Sequence, residues 1–333
     1  MAATALTRLG QANLTGDTEA LFKTVMSGMV LHQFERQRKF AGTIQQRGFP
    51  RGNKGFTIRL HGKGSAKYHT LGANIIEDGA YLSAQRGAEL TVLANDELLD
   101  ASLINNLEVL KADYDEKKAT AFELGRSLAD ADDEYSYRAL IAASRRNITG
   151  NDKYTGEPTT GLTTDGAKTT TLSGGLTRTQ KADALVTTIY EAKELFDSLD
   201  VDPMDRYVAI NPLYATLLFN ATSKEFLNKD WGGNGSVAAG TLPMAAGFKF
   251  VVSNSVISSD KSADTAKQTE LNINLANYIG VFYTPQAAVR AAVREVKFEH
   301  EYKIEYRGDL LVASSVTAYG SARRECSIGW KQN

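Results

Sequence analysis

Cysteine, histidine and proline are scarce in this 333-residue chain, and each scarcity closes a class of function. One cysteine, Cys326, allows no disulfide within the chain and no cysteine-built metal centre. The four histidines, at 32, 61, 69 and 300, are scattered. His300-Glu301 would need a second histidine at 304 to make a zinc helix, and Ile304 stands there. No apolar run approaches the roughly 18 residues of a membrane span. The opening residues lack the apolar core of a signal peptide, so the expectation is a soluble chain made in a cytosol. There is no Gly-x-Ser-x-Gly elbow and no dinucleotide fingerprint. Gly62-Lys63-Gly64-Ser65 hints at a phosphate loop, but Thr57 occupies the place of the required glycine. Gly64 also replaces the hydroxyl residue that would hold magnesium. The chain therefore reads as non-enzymatic, with no catalytic residues, no cofactor and no metal.

What is present is ordinary in bulk and uneven in placement. A hydrophobic fraction of 42% and a charged fraction of 23% are enough for a real core. Eight Lys or Arg (Arg36, Arg38, Lys39, Arg47, Arg51, Lys54, Arg59, Lys63) face one acid, Glu35, between positions 34 and 63. That segment carries +7, which leaves −8 for the remainder against a total of −1. Such a run is either a solvated linker or an arm that touches something anionic, nucleic acid or the acidic surface of neighbouring copies. Asp130, Asp132, Asp133 and Glu134 form a carboxylate cluster, read as a solvated acidic patch on a helix. Cys326, among arginines but without a histidine beside it, reads as a packed thiol. His300, on an apolar strand face, reads as a core residue.

Hydrophobic spacing orders the rest. Asp17 is placed to cap a helix ending near Lys39. Six glycines, at 42, 48, 52, 55, 62 and 64, then break regular structure around a short strand, Phe56 to His61. Residues 89–94 alternate like a strand, so 48–94 can fold back as a hairpin that needs a surface to lie on. No proline occurs between Pro50 and Pro158. From Leu103 the apolar positions recur at helical spacing, and the part from about 113 to 148 predicts one long helix. Residues 155–178, with nine Thr and five Gly, read as a loop. A helix over 179–199, a strand over 206–210, a helix opened by Pro212 and strands over 247–253 and 278–283 follow. Val296, Phe298, His300, Tyr302, Ile304 and Tyr306 alternate strictly with charged residues, which predicts a long strand with one face buried. Leu310 to Tyr319 predicts a last strand. The class is α+β.

Four blocks carry a family resemblance. Residues 62–72 (GKGSAKYHTLG), with Ala80-Tyr81-Leu82, look like the extended loop of a phage capsid subunit. Asp113 to Ala143, containing Leu124-Gly-Arg-Ser-Leu128, looks like its spine helix. Gly156-Glu-Pro-Thr-Thr-Gly161-Leu162 resembles the loop that follows the spine. Asn211-Pro-Leu-Tyr-Ala-Thr-Leu217, residues 247–254 and residues 277–282 resemble the axial core. In this order they resemble the major capsid proteins of tailed phages with the HK97-type fold, most closely those of short-tailed podophages related to T7.

The resemblance implies an N-terminal arm over 1–47 and an extended β-hairpin loop over 48–94. It implies a peripheral domain over 95–160 and 291–308 that holds the spine helix (about 113–148) and the long strand (about 295–307). A mixed α/β axial domain would take 161–290 and 309–333. It further implies a structural subunit forming hexamers and pentamers of an icosahedral shell around double-stranded DNA. Lys63, Lys67, Tyr68 and Tyr81 would touch the next subunit from the extended loop. Arg36, Arg38, Lys39, Arg47, Arg51, Lys54 and Arg59 would face neighbours or DNA, and Trp231 would sit in an axial loop. Expected partners are other copies, a scaffolding protein and portal during assembly, packaged DNA by non-specific contact, and a decoration protein, with no membrane. The expected location is the virion, assembled in the bacterial host cytoplasm. Two alternatives stay open: a nanocompartment shell of the same fold enclosing protein cargo, and a nucleic-acid-binding protein using the basic run.

Overall fold

The computed structural model of the chain describes residues 18–49, 55–61, 66–72, 74–76, 87–93, 97–107, 115–145, 166–172, 174–221, 242, 244–264 and 271–333. The chain divides into two compact units, Met1–Arg38 with Asn95–Asp133 and Ala292–Thr317, and Lys39–Ala94 with Glu134–Ala291 and Ala318–Asn333.

The first unit holds helix α1 (Thr18–Gln37), strand β4 (Leu98–Asn105) and the opening half of helix α2 (Glu116–Arg145). It also holds most of strands β9 (Ala288–Lys303) and β10 (Gly308–Ser321). Its core is Val30 and Phe34 from α1, Ala121, Leu124, Leu128 and Ala129 from α2, and Ile104, Leu311 and Ala313 from the sheet. Ala121, Leu124 and Leu128 follow the steps of three and four that the sequence predicted, and Ala129 packs beside them. Thirty residues make α2 about 45 Å long at about 1.5 Å per residue. Strand β4 runs antiparallel to β10, with Leu103 opposite Leu310. Asp17, the expected cap of α1, lies outside the described residues.

Three readings of this unit need correcting. Leu103 belongs to strand β4 and not to the spine helix; the step of four from Leu103 to Leu107 is even, so it fits a strand's period of two as well as a helix. Strand β9 keeps the expected alternation, with Val296 and Phe298 packed inward. It ends at Lys303, however, because the chain must reverse into β10. Residues 304–306 form a 3-10 turn, Arg307 takes a φ of 48°, and Ile304 and Tyr306 are exposed. The acidic cluster is not uniformly solvated: Asp132 and Asp133 are buried, and Asp132 meets Arg38. Consecutive helix positions point around the axis, and an inward carboxylate persists when it is paired. His300 lies within 3.3 Å of Asp309, as a packed histidine with a carboxylate neighbour.

The second unit is built on a mixed five-stranded sheet in the order β5–β11–β8–β6–β7, with β5 (Ala167–Thr170), β6 (Arg206–Ile210), β7 (Phe248–Val252), β8 (Tyr278–Tyr283) and β11 (Ser327–Gln332). Every residue of the central β8 is buried, as a strand covered on both faces requires. Helix α3 (Arg178–Ser198) buries Ala182, Leu185, Val186, Ile189, Ala192, Leu195 and Phe196, the face its spacing predicted. Thr177 and Gln180 close a capping box at its start. Helix α4 (Pro212–Leu218) is capped by Asn211, with Pro212 where a missing N–H is harmless. Strand β5 lies within the stretch read as a loop. Pairing with β11 orders it, and its Thr170 receives the indole N–H of buried Trp330 at 2.7 Å and lies 2.6 Å from the Thr188 hydroxyl. Those bonds satisfy three buried polar groups at once. Cys326 is a buried thiol outside any disulfide.

Candidate assembly surface

Strands β2 (Gly55–His61) and β3 (Gly87–Leu93) pair antiparallel over their whole length, from Gly55 opposite Leu93 to His61 opposite Gly87. Alternation puts Ile58, Leu90 and Val92 on one face, and there they meet Val289, Ala291, Ala318 and Ala322 of the same unit. A lone two-stranded ribbon is marginal in water; this small apolar patch anchors its base. On the other face Arg59 and Glu89, directly opposite in register, form an exposed ion pair at 3.2 Å.

Beyond β2 the described residues 66–72 and 74–76 are all exposed. Four of them are large and apolar: Tyr68 and Leu71 are 101% exposed, Ile76 77% and Ile75 53%. Scattered surface apolar residues are common, but four within nine positions of a strand-connecting loop mark a contact surface. Lys67 stands beside Tyr68 and is likewise exposed. Lys63 and Tyr81 lie outside the described residues. Leu71, Ile75 and Ile76 were missed in the sequence, where isolated apolar residues in a polar, glycine-bearing stretch give no periodic signal.

The basic run divides in the fold. Arg36 is exposed in the first unit, and Lys39, Arg47 and Arg59 are exposed in the second. Arg38 is not part of such a surface. Its side chain is 9% exposed, its Nε lies 2.8 Å from Asp132 Oδ2, and its guanidinium sits 4.9 Å from the Phe34 ring centre. Arg51, Lys54 and Trp231 lie outside the described residues.

The second unit also has a cleft of about 400 Å³ lined by Asp200, Asp202, Asp205, Arg323 and Glu325. Its carboxylates already have partners: Asp202 accepts from Met204 N–H at 2.9 Å, Asp205 meets Lys249 at 2.7 Å, and Glu325 meets Arg323 at 3.1 Å. Among the described residues no three His, Cys, Asp or Glu side chains are grouped to hold a metal ion. No helix among them is long and apolar enough to cross a membrane.

Comparison with known proteins gives this geometry a context. Residues 58–331 match the family described as Gp10A-like major capsid protein. No curated protein sequence matches the chain. Among solved structures it is similar to the capsid of cyanophage P-SCSP1u, at 24% identity and a TM-score of 0.68 over 88% of each chain. It is also similar to the mature capsid of bacteriophage PhiM1, at 15% identity and 0.65, over 88% of this chain and 86% of that one. A virus-like particle from Pyrococcus furiosus gives 12% identity and 0.51, over 93% and 99%. At such identities the likeness is one of fold, and the fold is the α+β, HK97-type capsid architecture that the resemblance implied.

Proposed function

The chain belongs to the Gp10A-like major capsid protein family, and from that premise we propose how its surfaces build a shell. A major capsid protein is a structural subunit: it acts by binding further copies of itself, and it is not an enzyme. The proposal is that these copies form hexamers and pentamers of an icosahedral shell around a double-stranded DNA genome. The extended loop, residues 48–94, lies on the adjacent subunit, with Lys63, Lys67, Tyr68 and Tyr81 in the contact. The residues matching the spine helix and long strand act as the peripheral domain, and the five-stranded sheet lies in the axial one. Arg36, Lys39, Arg47, Arg51, Lys54 and Arg59 face acidic neighbours or the genome. A scaffolding protein, a portal and a decoration protein join the shell, which assembles in the host cytoplasm.

The observation that carries this reading is the bare apolar set on the loop, Tyr68, Leu71, Ile75 and Ile76. An isolated soluble subunit gains nothing by exposing it, and a neighbouring copy covers it. Electron microscopy of the overexpressed protein tests the reading, with closed particles expected and a population of lone subunits contradicting it. Deleting residues 50–85 leaves a soluble subunit that forms no shells; normal particles from that deletion would sink the loop's assigned role. Particles from infected cells contain double-stranded DNA; protein cargo in its place would favour the nanocompartment reading.

A further inference from the structure

Strand β4 is the outer strand of the sheet β1–β9–β10–β4, in which β1 is Gln45–Gly48. One side of β4 is bonded to β10, and among the described residues no strand lies along the other. Natural proteins guard such an edge with lysine, proline, a bulge or shortness. This one is eight residues long, Leu-Leu-Asp-Ala-Ser-Leu-Ile-Asn, with no lysine and no proline, and its register with β10 runs unbroken from Leu98 to Asn105. Its outward face is apolar: Leu99 is 56% exposed, Leu103 43%, and Ala101 between them is exposed as well.

The sequence of this edge is symmetric about Ala101. Leu99 mirrors Leu103, Leu98 mirrors Ile104, and Asp100 mirrors Ser102. A two-fold contact between identical chains requires a surface complementary to itself, and this strand has one. We propose that β4 pairs antiparallel with β4 of a second copy, about a two-fold axis at Ala101, and so joins two sheets edge to edge. The inference rests on the shell reading, which supplies the second copy. Antiparallel pairing about an axis normal to the sheet must be centred on a residue, since a one-residue slip would set outward side chains against core-facing ones. Centring on Asp100 would oppose two carboxylates. Centring on Ser102 would set Asp100 against buried Ile104 and Leu99 against Asn105. Centring on Ala101 sets Leu99 against the second Leu103, and Asp100 against the Ser102 hydroxyl, which can donate to it. Leu98 and Ile104, already part of the first unit's core, continue it across the join.

Directly opposed residues of an antiparallel pair have Cα atoms about 4.5–5.5 Å apart, within disulfide range. Ala101→Cys therefore becomes a reporter, because Cys326 is buried and the wild type supplies no competing thiol. Particles of this variant, oxidised and run on a non-reducing denaturing gel, are expected to give a chain dimer. Ser102→Cys, whose mirror residue is Asp100, is expected to stay monomeric. Intact particles with only monomer from Ala101→Cys, or equal dimer from both variants, would overturn the pairing while leaving the shell reading untouched. Hydrogen exchange on the wild type gives a second measurement independent of any variant. Amides over residues 98–105 should exchange at least about tenfold more slowly in particles than in free subunits, and equal rates would refute the proposal.

Discussion

Arg36 and Arg38 sit two positions apart and do different work. Arg36 is exposed in the last turn of α1, whereas Arg38 is drawn in against Asp132 and over Phe34. The sequence offers no way to separate them, because both stand in the same basic run and the partner of Arg38 is almost a hundred residues away. Removing the cation from a buried pair leaves a carboxylate in poor solvation. Arg38→Ala is accordingly expected to lower unfolding free energy by about 2–4 kcal/mol. Arg36→Ala should change it by less than about 0.5 kcal/mol, as at an ordinary surface site. Urea unfolding of the two variants separates the roles; equally small effects would return Arg38 to the surface arm.

Helix α2 shows how one residue sets the approach of two elements. Gly125 interrupts an otherwise strong helical pattern, and a Cβ there would lie 2.6 Å from the carbonyl oxygen of Val30 and 3.2 Å from Gln33 Cβ. The glycine lets α1 cross α2 with backbone near backbone. In an open helix, Gly→Ala stabilises by about 1 kcal/mol. Here overlap outweighs propensity, and Gly125→Ala is expected to cost about 1–3 kcal/mol; an increase in the urea midpoint would show that the crossing is not tight. Elements with long, one-faced patterns were legible in advance, α3 most of all, because its spacing alone names the buried stripe; α2 was legible as a helix, although residues 136–144 are buried all round it. Strands β4, β5 and β11 were not. β4 has an apolar residue on both faces at each end, and β5 is four residues, Ala-Lys-Thr-Thr, whose order depends on Trp330 and Thr188. Of the candidate surface, the loop and its base strands could be read from glycines and alternation. The apolar tips could not, since exposure belongs to the folded chain and not to composition.

For the whole molecule the question is which force closes a shell. Charge is one candidate, since Arg36, Lys39 and Arg47 of the basic run are exposed, but exposed charges are screened beyond about 8–10 Å at ordinary salt. The loop apolar residues act at contact and are not screened. Leu71 is 101% exposed and Ile76 77%, so neither contributes to the subunit's own core. The double variant Leu71→Ser with Ile76→Ser should leave the subunit's thermal midpoint within about 2 °C of wild type. Burial of both side chains against a neighbour would contribute roughly 1.5–3 kcal/mol each, repeated at every copy of the contact. Their loss is therefore expected to cut particle yield at least about tenfold, read by sedimentation and microscopy. Unchanged yield would remove the loop from the interface and leave charge as the driving force, in which case raising salt to about 1 M should disperse the particles. A fall in subunit stability would instead assign the two residues to the fold. The two measurements together decide whether this surface serves the subunit or the shell.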